Sequence, residues 1–466
     1  MPVRLPLPFA ASVLCIAPRG RALGLAAVLL ATACGQDDCE EPLTVCDIGS
    51  ADCREHVFVQ TACARGHEGR TVPTVYSITR DEFEALLRGG PEPTAEEQRV
   101  DAQLAAALRM LDLLPPGEGS SNEAAIQAYA RNVLAFYSRE DASVTIVETN
   151  LGSVDDETAV FILSHEFVHA QQDVDVGLQD FFDAHVSSSD SNTAIRSVTE
   201  GEAVLFSNVA MARQEGASIT AGAFAEYYAA TQQGLRDAAA GVGSDGVEAG
   251  YTDLSSSFPY PFGGELVTNR WLAEGTGAVL ELYDDPPVST AAILRTLAGH
   301  DPANVVDLPP LSATTPPEGW SIVAEDTLGA WILYVVALRS GFSEDSANAL
   351  VEDWAGDHLL VAGGAAEAEV ALAWSLRFGS DASAERFGEI GSVAPPEGVR
   401  SVVQNGHDVT LVMATDADTL ALWETAFETA TVASDDSFRT ATRRAAPSLP
   451  RPVDDPRVPR RWIAQP

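Results

Sequence analysis

One string constrains this chain more than any other: Ser164-His165-Glu166-Phe167-Val168-His169-Ala170-Gln171-Gln172-Asp173. Ahead of it, Asp155, Asp156 and Glu157 put negative charge where exposed N–H groups open a helix. Val160, Phe161, Ile162, Leu163, Phe167 and Val168 then cover most of the helix circumference. A helix apolar on nearly every side belongs in a core. This one also carries two imidazoles and a carboxylate, and burying these without partners is costly. The spacing predicts a buried helix over 159–172 whose polar residues share a partner. The β-rich run Ser143-Val144-Thr145-Ile146-Val147-Glu148-Thr149 before it predicts a strand.

His165 and His169 are four residues apart and share one helix face, so both imidazoles can meet a single ion. Zinc takes neutral imidazole nitrogen readily and keeps an open position for water. Glu166, one residue along from His165, falls beside such an ion and not on it. There a carboxylate can take a proton from an attacking water and return it to the leaving nitrogen. The bland alternative is a surface helix with incidental polar residues, which the apolar flanks oppose. A third ligand is expected from Arg196-Ser197-Val198-Thr199-Glu200-Gly201-Glu202-Ala203-Val204. Glu200 and Glu202 stand about 200° apart on a helix, so only one can face the ion. Glu200 is the expected ligand and Glu202 the alternative. With Glu200 inward, Gly201 and Ala203 are expected to let this helix close on the histidine helix.

These residues resemble the gluzincin class of zinc metallopeptidases, in which His-Glu-x-x-His supplies two ligands and the base, and a later glutamate the third. The resemblance implies a mostly helical α+β, zincin-like domain whose active-site helix follows a β-strand. It implies Zn2+ as cofactor and a protein or peptide as substrate. The string with Thr199-Glu200-Gly201-Glu202-Ala203 is also similar to a group of bacterial exported proteins of uncertain function. Tyr260-Pro261-Phe262-Gly263-Gly264, Pro286-Pro287-Val288-Ser289-Thr290, Glu325-Asp326-Thr327-Leu328-Gly329 and Trp354-Ala355-Gly356-Asp357 continue that likeness. Where that group has a histidine soon after the Ser-Thr pair, this chain has Arg295, with His300 further on. A donor that stabilises an oxyanion is usual across such a cleft. Tyr227, Tyr228, Tyr260, His185 and His300 are candidates that the sequence does not separate. Asp173 and Asp175 are either partners of a ligand histidine or acids at an exposed helix end. Two rivals remain: a catalytically inactive zincin-like module for surface binding or envelope assembly, and an amide or ester hydrolase for a non-peptide substrate.

Residues 1–33 read as an export signal: Arg4, Arg19 and Arg21, then an apolar run over 22–30, then Ala31-Thr32-Ala33-Cys34. The run is too short to span a membrane. The pattern resembles a bacterial lipoprotein signal, with Ala31 where leucine is usual. It implies that Cys34 is lipidated and anchors the chain in the cell envelope, periplasmic or surface-exposed. Ordinary secretion with Cys34 free or paired is the alternative. Residues 34–70 form a Cys-rich N-terminal module or linker. Its Cys39, Cys46, Cys53 and Cys63 predict two disulfides in any of three pairings, against a small zinc knot with His56 and His67. Residues 71–440 make the main domain, and 441–466 a disordered tail.

The charge excludes one class of partner. Sixty-eight acidic residues face 28 basic ones, all arginine, for a net charge of -40. Phosphate backbones need a basic surface, so nucleic-acid binding is not expected. Mean hydropathy is near zero at +0.02, which excludes a multi-span membrane protein.

Overall fold

The computed structural model describes Cys39 and residues 42–66, 71–89, 92–152, 154–214, 219–241, 249–303, 305–306, 308 and 316–432. The expected signal, Cys34, His67 and the expected tail lie outside the described residues.

The chain begins with α1 (Ala51–Arg65), β1 (Thr74–Ile78), α2 (Arg80–Leu87), α3 (Ala95–Met110) and α4 (Ser121–Asn132). Then come β2 (Ala135–Ser138), β3 (Ser143–Val147), the short α5 (Glu148–Leu151), α6 (Asp156–Val176), α7 (Leu178–His185) and α8 (Ser189–Gln214). Next are α9 (Ala221–Ala239), α10 (Tyr251–Ser257), a π turn (Pro259–Gly263), α11 (Gly264–Glu274), α12 (Thr276–Asp284) and α13 (Thr290–Leu297). The last part holds β4 (Ser321–Asp326), α14 (Gly329–Arg339), α15 (Glu344–Asp353), β5 (Trp354–Gly363), β6 (Val370–Phe378), α16 (Asp381–Gly388), β7 (Val399–Asn405), β8 (Asp408–Ala414) and α17 (Ala417–Val432). The fold is α+β and mostly helical, as expected. No described helix is long and apolar enough to cross a membrane.

Two sheets frame the helices. The smaller runs β1-β3-β2, with β1 parallel and β2 antiparallel to β3. The larger is antiparallel, in the order β4-β5-β6-β8-β7. The apolar α14 packs with α3, α10 and the inner face of the large sheet in one core. A second core holds α1, α6, α8, α9 and α11.

Three local readings of the sequence change. The run 123–137 reads as one helix, but α4 stops at Asn132, and Phe136 and Tyr137 pair with Thr145 and Val144 of β3. The run 326–339 reads as helix from its first residue. Instead Asp326 ends β4, and the helix starts at Gly329, whose φ of 84° suits only glycine without strain. The Cys-rich segment is folded against the main body: Val57 and Phe58 of α1 are buried, and the Phe58 ring meets Phe167 of α6 edge-on at 5.3 Å. Its cysteines pair Cys39–Cys63 and Cys46–Cys53. His56 accepts a hydrogen bond from the Thr44 amide at 3.1 Å. The disulfides and the lack of a spanning helix among the described residues are compatible with an exported protein.

Candidate metal centre

Helix α6 starts where the sequence says it should. The Asp155 side chain accepts from the Thr158 amide, and Asp156 and Glu157 occupy the first turn. Residues 162–172 are all buried. His165 and His169 therefore point into the protein, one turn apart, with their rings edge-to-face at 4.7 Å. Helix α8 lies against α6 and brings Glu200 to them. His165 Nε2 and His169 Nε2 are 3.1 Å apart. Glu200 Oε2 lies 3.1 Å from the first and 3.3 Å from the second. The three residues are the one group among the described residues whose donor atoms converge as metal ligands do.

Charge at this point is balanced from behind. Arg196, one turn before Glu200 on α8 and equally buried, donates to Glu200 Oε1 at 3.0 Å. That leaves Oε2 for the histidine side. Burial alone would push the Glu200 carboxyl up, but His169, His165 and Arg196 together hold it well below the usual carboxylate range. Burial pulls the His165 imidazole down, against the pull of Glu200. It acts the same way on His169, where Glu200, Glu166 and Gln172 together outweigh it and raise the imidazole.

Glu166 is different. Both its oxygens are buried, and neither meets a donor at bonding geometry among the described residues. Burial pushes its carboxyl up to about 8. The neighbouring Glu200 adds to the shift, and His169 and the Tyr137 backbone oppose it. A buried carboxyl group whose nearest donor is one backbone amide short of bonding geometry is unusual in a folded protein.

The alternative acid, Glu202, faces away from the cluster. It accepts from Gln172 Nε2 at 2.9 Å, from the Tyr283 hydroxyl, and from Arg65 Nε at 2.7 Å. Gln172 also touches one of the three converging residues, with its Oε1 2.7 Å from His169 Nδ1. Sequence reasoning gave Gln172 no role, although it stands in the motif string three residues after His169. Asp173 and Asp175 do not hold a histidine. Asp173 accepts from the Tyr137 hydroxyl and the Leu178 amide, and Asp175 pairs with Arg65.

Gly201 does bring two segments close, but the neighbour is the π turn and not α6. A Cβ on Gly201 would strike the Gly263 carbonyl, and one on Gly263 would strike Ser197. Pro259 and Pro261 lack the N–H groups that an α-helical ladder needs, which accounts for the irregular turn. That turn carries Tyr260, half-buried, with its ring 5.9 Å from His165 and its plane tilted by 28°. The other oxyanion candidates lie elsewhere. Tyr228 bonds Thr268, Tyr227 packs edge-on against Tyr228, His185 bonds the Phe181 carbonyl, and His300 is exposed.

The donor set fits a metal ion, since two imidazole nitrogens and one carboxylate oxygen converge as ligand atoms do and would leave a tetrahedral ion one open position. Compared with known proteins, the chain matches no family model, no curated protein and no solved structure.

Proposed function

We propose that the chain is a zinc-dependent hydrolase of the gluzincin-like metallopeptidase type, with a zincin-like main domain. One observation carries this reading: a buried His165–His169–Glu200 donor set stands beside a buried Glu166 carboxyl group that no side chain holds at bonding geometry. Pure metal storage has no use for that fourth residue. A zinc ion held by these three residues would supply Lewis acidity toward a carbonyl oxygen and an attacking water. The chain's own residues do the rest. Glu166, buried beside the donor set, is placed to receive the proton of the attacking water. It then returns that proton to the leaving nitrogen. Arg196 keeps Glu200 charged and aligned. Tyr260, beside His165, is the residue best sited to donate to a developing oxyanion. The substrate is a protein or peptide. The chain is exported and held at the cell envelope through a lipidated Cys34.

A second reading, an inactive binding or assembly module, is favoured by the closure of the site. His165 is only 3% exposed, and His169, Glu166 and Glu200 are fully buried. A substrate reaches them only if the packing around them opens.

Elemental analysis of the chain starting after Cys34, alongside His165→Ala, tests the metal. About one zinc per chain, lost in the variant, is expected. A peptide-library screen with Glu166→Gln as control then tests the chemistry. Zinc uptake without cleavage of any peptide would favour the inactive module.

A further inference from the structure

We propose that Arg65, at the end of the disulfide-bonded N-terminal helix, is a positioning residue for the metal centre. Through Glu202 and Gln172 it fixes His169 in the tautomer that leaves Nε2 for the ion. The inference rests on the metal reading above, and extends the centre into a segment that the sequence marks as a stalk.

The chain of contacts has a single direction. Gln172 Nε2 lies 2.8 Å from the Thr199 carbonyl and 2.9 Å from Glu202 Oε2. Both are acceptors, so the amide NH2 is fixed there and the amide oxygen is turned to His169 Nδ1, 2.7 Å away. An acceptor at that place requires a proton on Nδ1. The neutral ring then carries its lone pair on Nε2, the atom that converges with His165 and Glu200. Were the Gln172 amide reversed, its NH2 would face Nδ1 and the opposite tautomer would result, with Nε2 protonated and unable to bind an ion.

Glu202 is what forbids the reversal, and Arg65 is what keeps Glu202 an acceptor. The Glu202 side chain is fully buried, and its Oε1 takes the Arg65 Nε–H, which holds Oε2 toward Gln172 as an acceptor. Arg65 is fully buried too. Its Nε meets Glu202 Oε1 and its Nη1 meets Asp175, both at 2.7 Å. Burial works against its charge, but Glu202 outweighs that and raises the guanidinium above its ordinary value. Arg65 closes α1, two residues after Cys63, whose bond to Cys39 ties down that last turn.

The test measures zinc affinity by competition with a chromophoric chelator, for the parent, Glu202→Gln, Arg65→Met and the double variant, each checked for folding by circular dichroism. In Glu202→Gln, Arg65 claims the new amide oxygen, so the new NH2 faces the Gln172 NH2. Zinc affinity is expected to fall roughly 10- to 100-fold, as for other groups that orient a ligand histidine. In the double variant the new amide is free to turn its oxygen to Gln172, and most of that loss is expected to be recovered. A Glu202→Gln protein that binds zinc as the parent does overturns the proposal. So does a double variant whose loss is the product of the two single losses. Imidazole 15N spectra of the parent, with and without zinc, decide the matter even where a variant does not fold. A proton on His169 Nδ1 in both states is expected, and an unprotonated Nδ1 overturns the relay. A parent that takes up no zinc defeats the metal reading instead, and the metal-free spectrum still decides the tautomer.

Discussion

Helix α8 carries buried acids at two places, and the protein treats them differently. At its middle, Glu200 and Glu202 are answered by side chains: two histidines and Arg196 for the first, Arg65, Gln172 and Tyr283 for the second. At its start, Asp190 meets Asp326 and Asp357, and the donors are mostly backbone amides. Asp326 accepts from the Ser189 amide and hydroxyl and from the Thr327 amide. Asp190 accepts from the Thr290 amide and hydroxyl. Asp357 accepts from the Leu328 and Gly329 amides and from the indoles of Trp354 and Trp374. This second cluster ties the starts of α8, α13 and α14 to the large sheet. None of its three acids has a buried oxygen left without a donor, whereas Glu166 in the first has only the Tyr137 backbone nearby and no donor at bonding geometry. Burial and acidity are common to both regions. What separates a latch from a site is the group left unanswered.

The comparison breaks most sharply at Glu166. Glu166→Gln is expected to lower any hydrolysis by about 10²- to 10⁴-fold while zinc stays bound. Above about pH 8 the same change should also stabilise the metal-free fold, because only there is the buried Glu166 carboxyl charged. Urea unfolding of the metal-free proteins measures the second effect. A variant that is both fully active and no more stable would leave Glu166 as an ordinary core residue. Asp326→Ala should behave in the opposite way. It strands the Ser189 and Thr327 amides, so a loss of about 2–4 kcal/mol is expected, with zinc content unchanged. Loss of zinc in that variant would mean that the two regions of α8 are one coupled unit.

The donor set was legible because it depends on local periodicity. His165 and His169 share a face through their spacing, and Glu200 follows from choosing one of two acids on opposite sides of a helix. The apolar flank made burial of that face readable as well. What orients those ligands was not legible. Gln172 is turned by the Thr199 carbonyl and by Glu202, whose partner Arg65 lies 107 positions before Gln172 in the chain, and no local pattern reports these contacts. Strand β2 was hidden because all four of its residues are buried, so it shows no alternation and only its pairing with β3 makes it a strand. Helix α1 was obscured by its cysteines, which drew the reading toward a Cys-rich module or linker held by two disulfides. The segments Ser289-Thr290, Glu325–Gly329 and Trp354–Asp357 stood out in the sequence with no chemistry attached. They converge on the aspartate latch at the start of α8, which gives them a structural reason to stand out.

The smallest expected effect concerns pH, and it belongs to the latch. Burial pushes the Asp190 carboxyl up to about 7, against the hydrogen bonds from Thr290 and with help from Asp357 and Asp326. Burial likewise pushes Asp357 up to about 6, against its amide and indole donors and the nearby His358. Each folded-state value lies above the ordinary carboxyl value of about 3.9, so the folded protein holds these protons more tightly than the unfolded chain. Their contribution is fully present below about pH 4 and is lost as pH rises through 6 and then 7. Thermal unfolding is therefore expected a few degrees lower at about pH 8 than at about pH 5.5. Glu166, raised to about 8, titrates beside this window, so the parent curve alone does not isolate the latch. Asp190→Asn does, since it leaves the metal centre intact and removes one of the two raised carboxyls. The difference between the two curves should shrink toward acid pH and grow toward alkaline pH, with the variant the less pH-sensitive. Parallel curves would mean that Asp190 stays charged throughout, held by amide donors strong enough to cancel its burial.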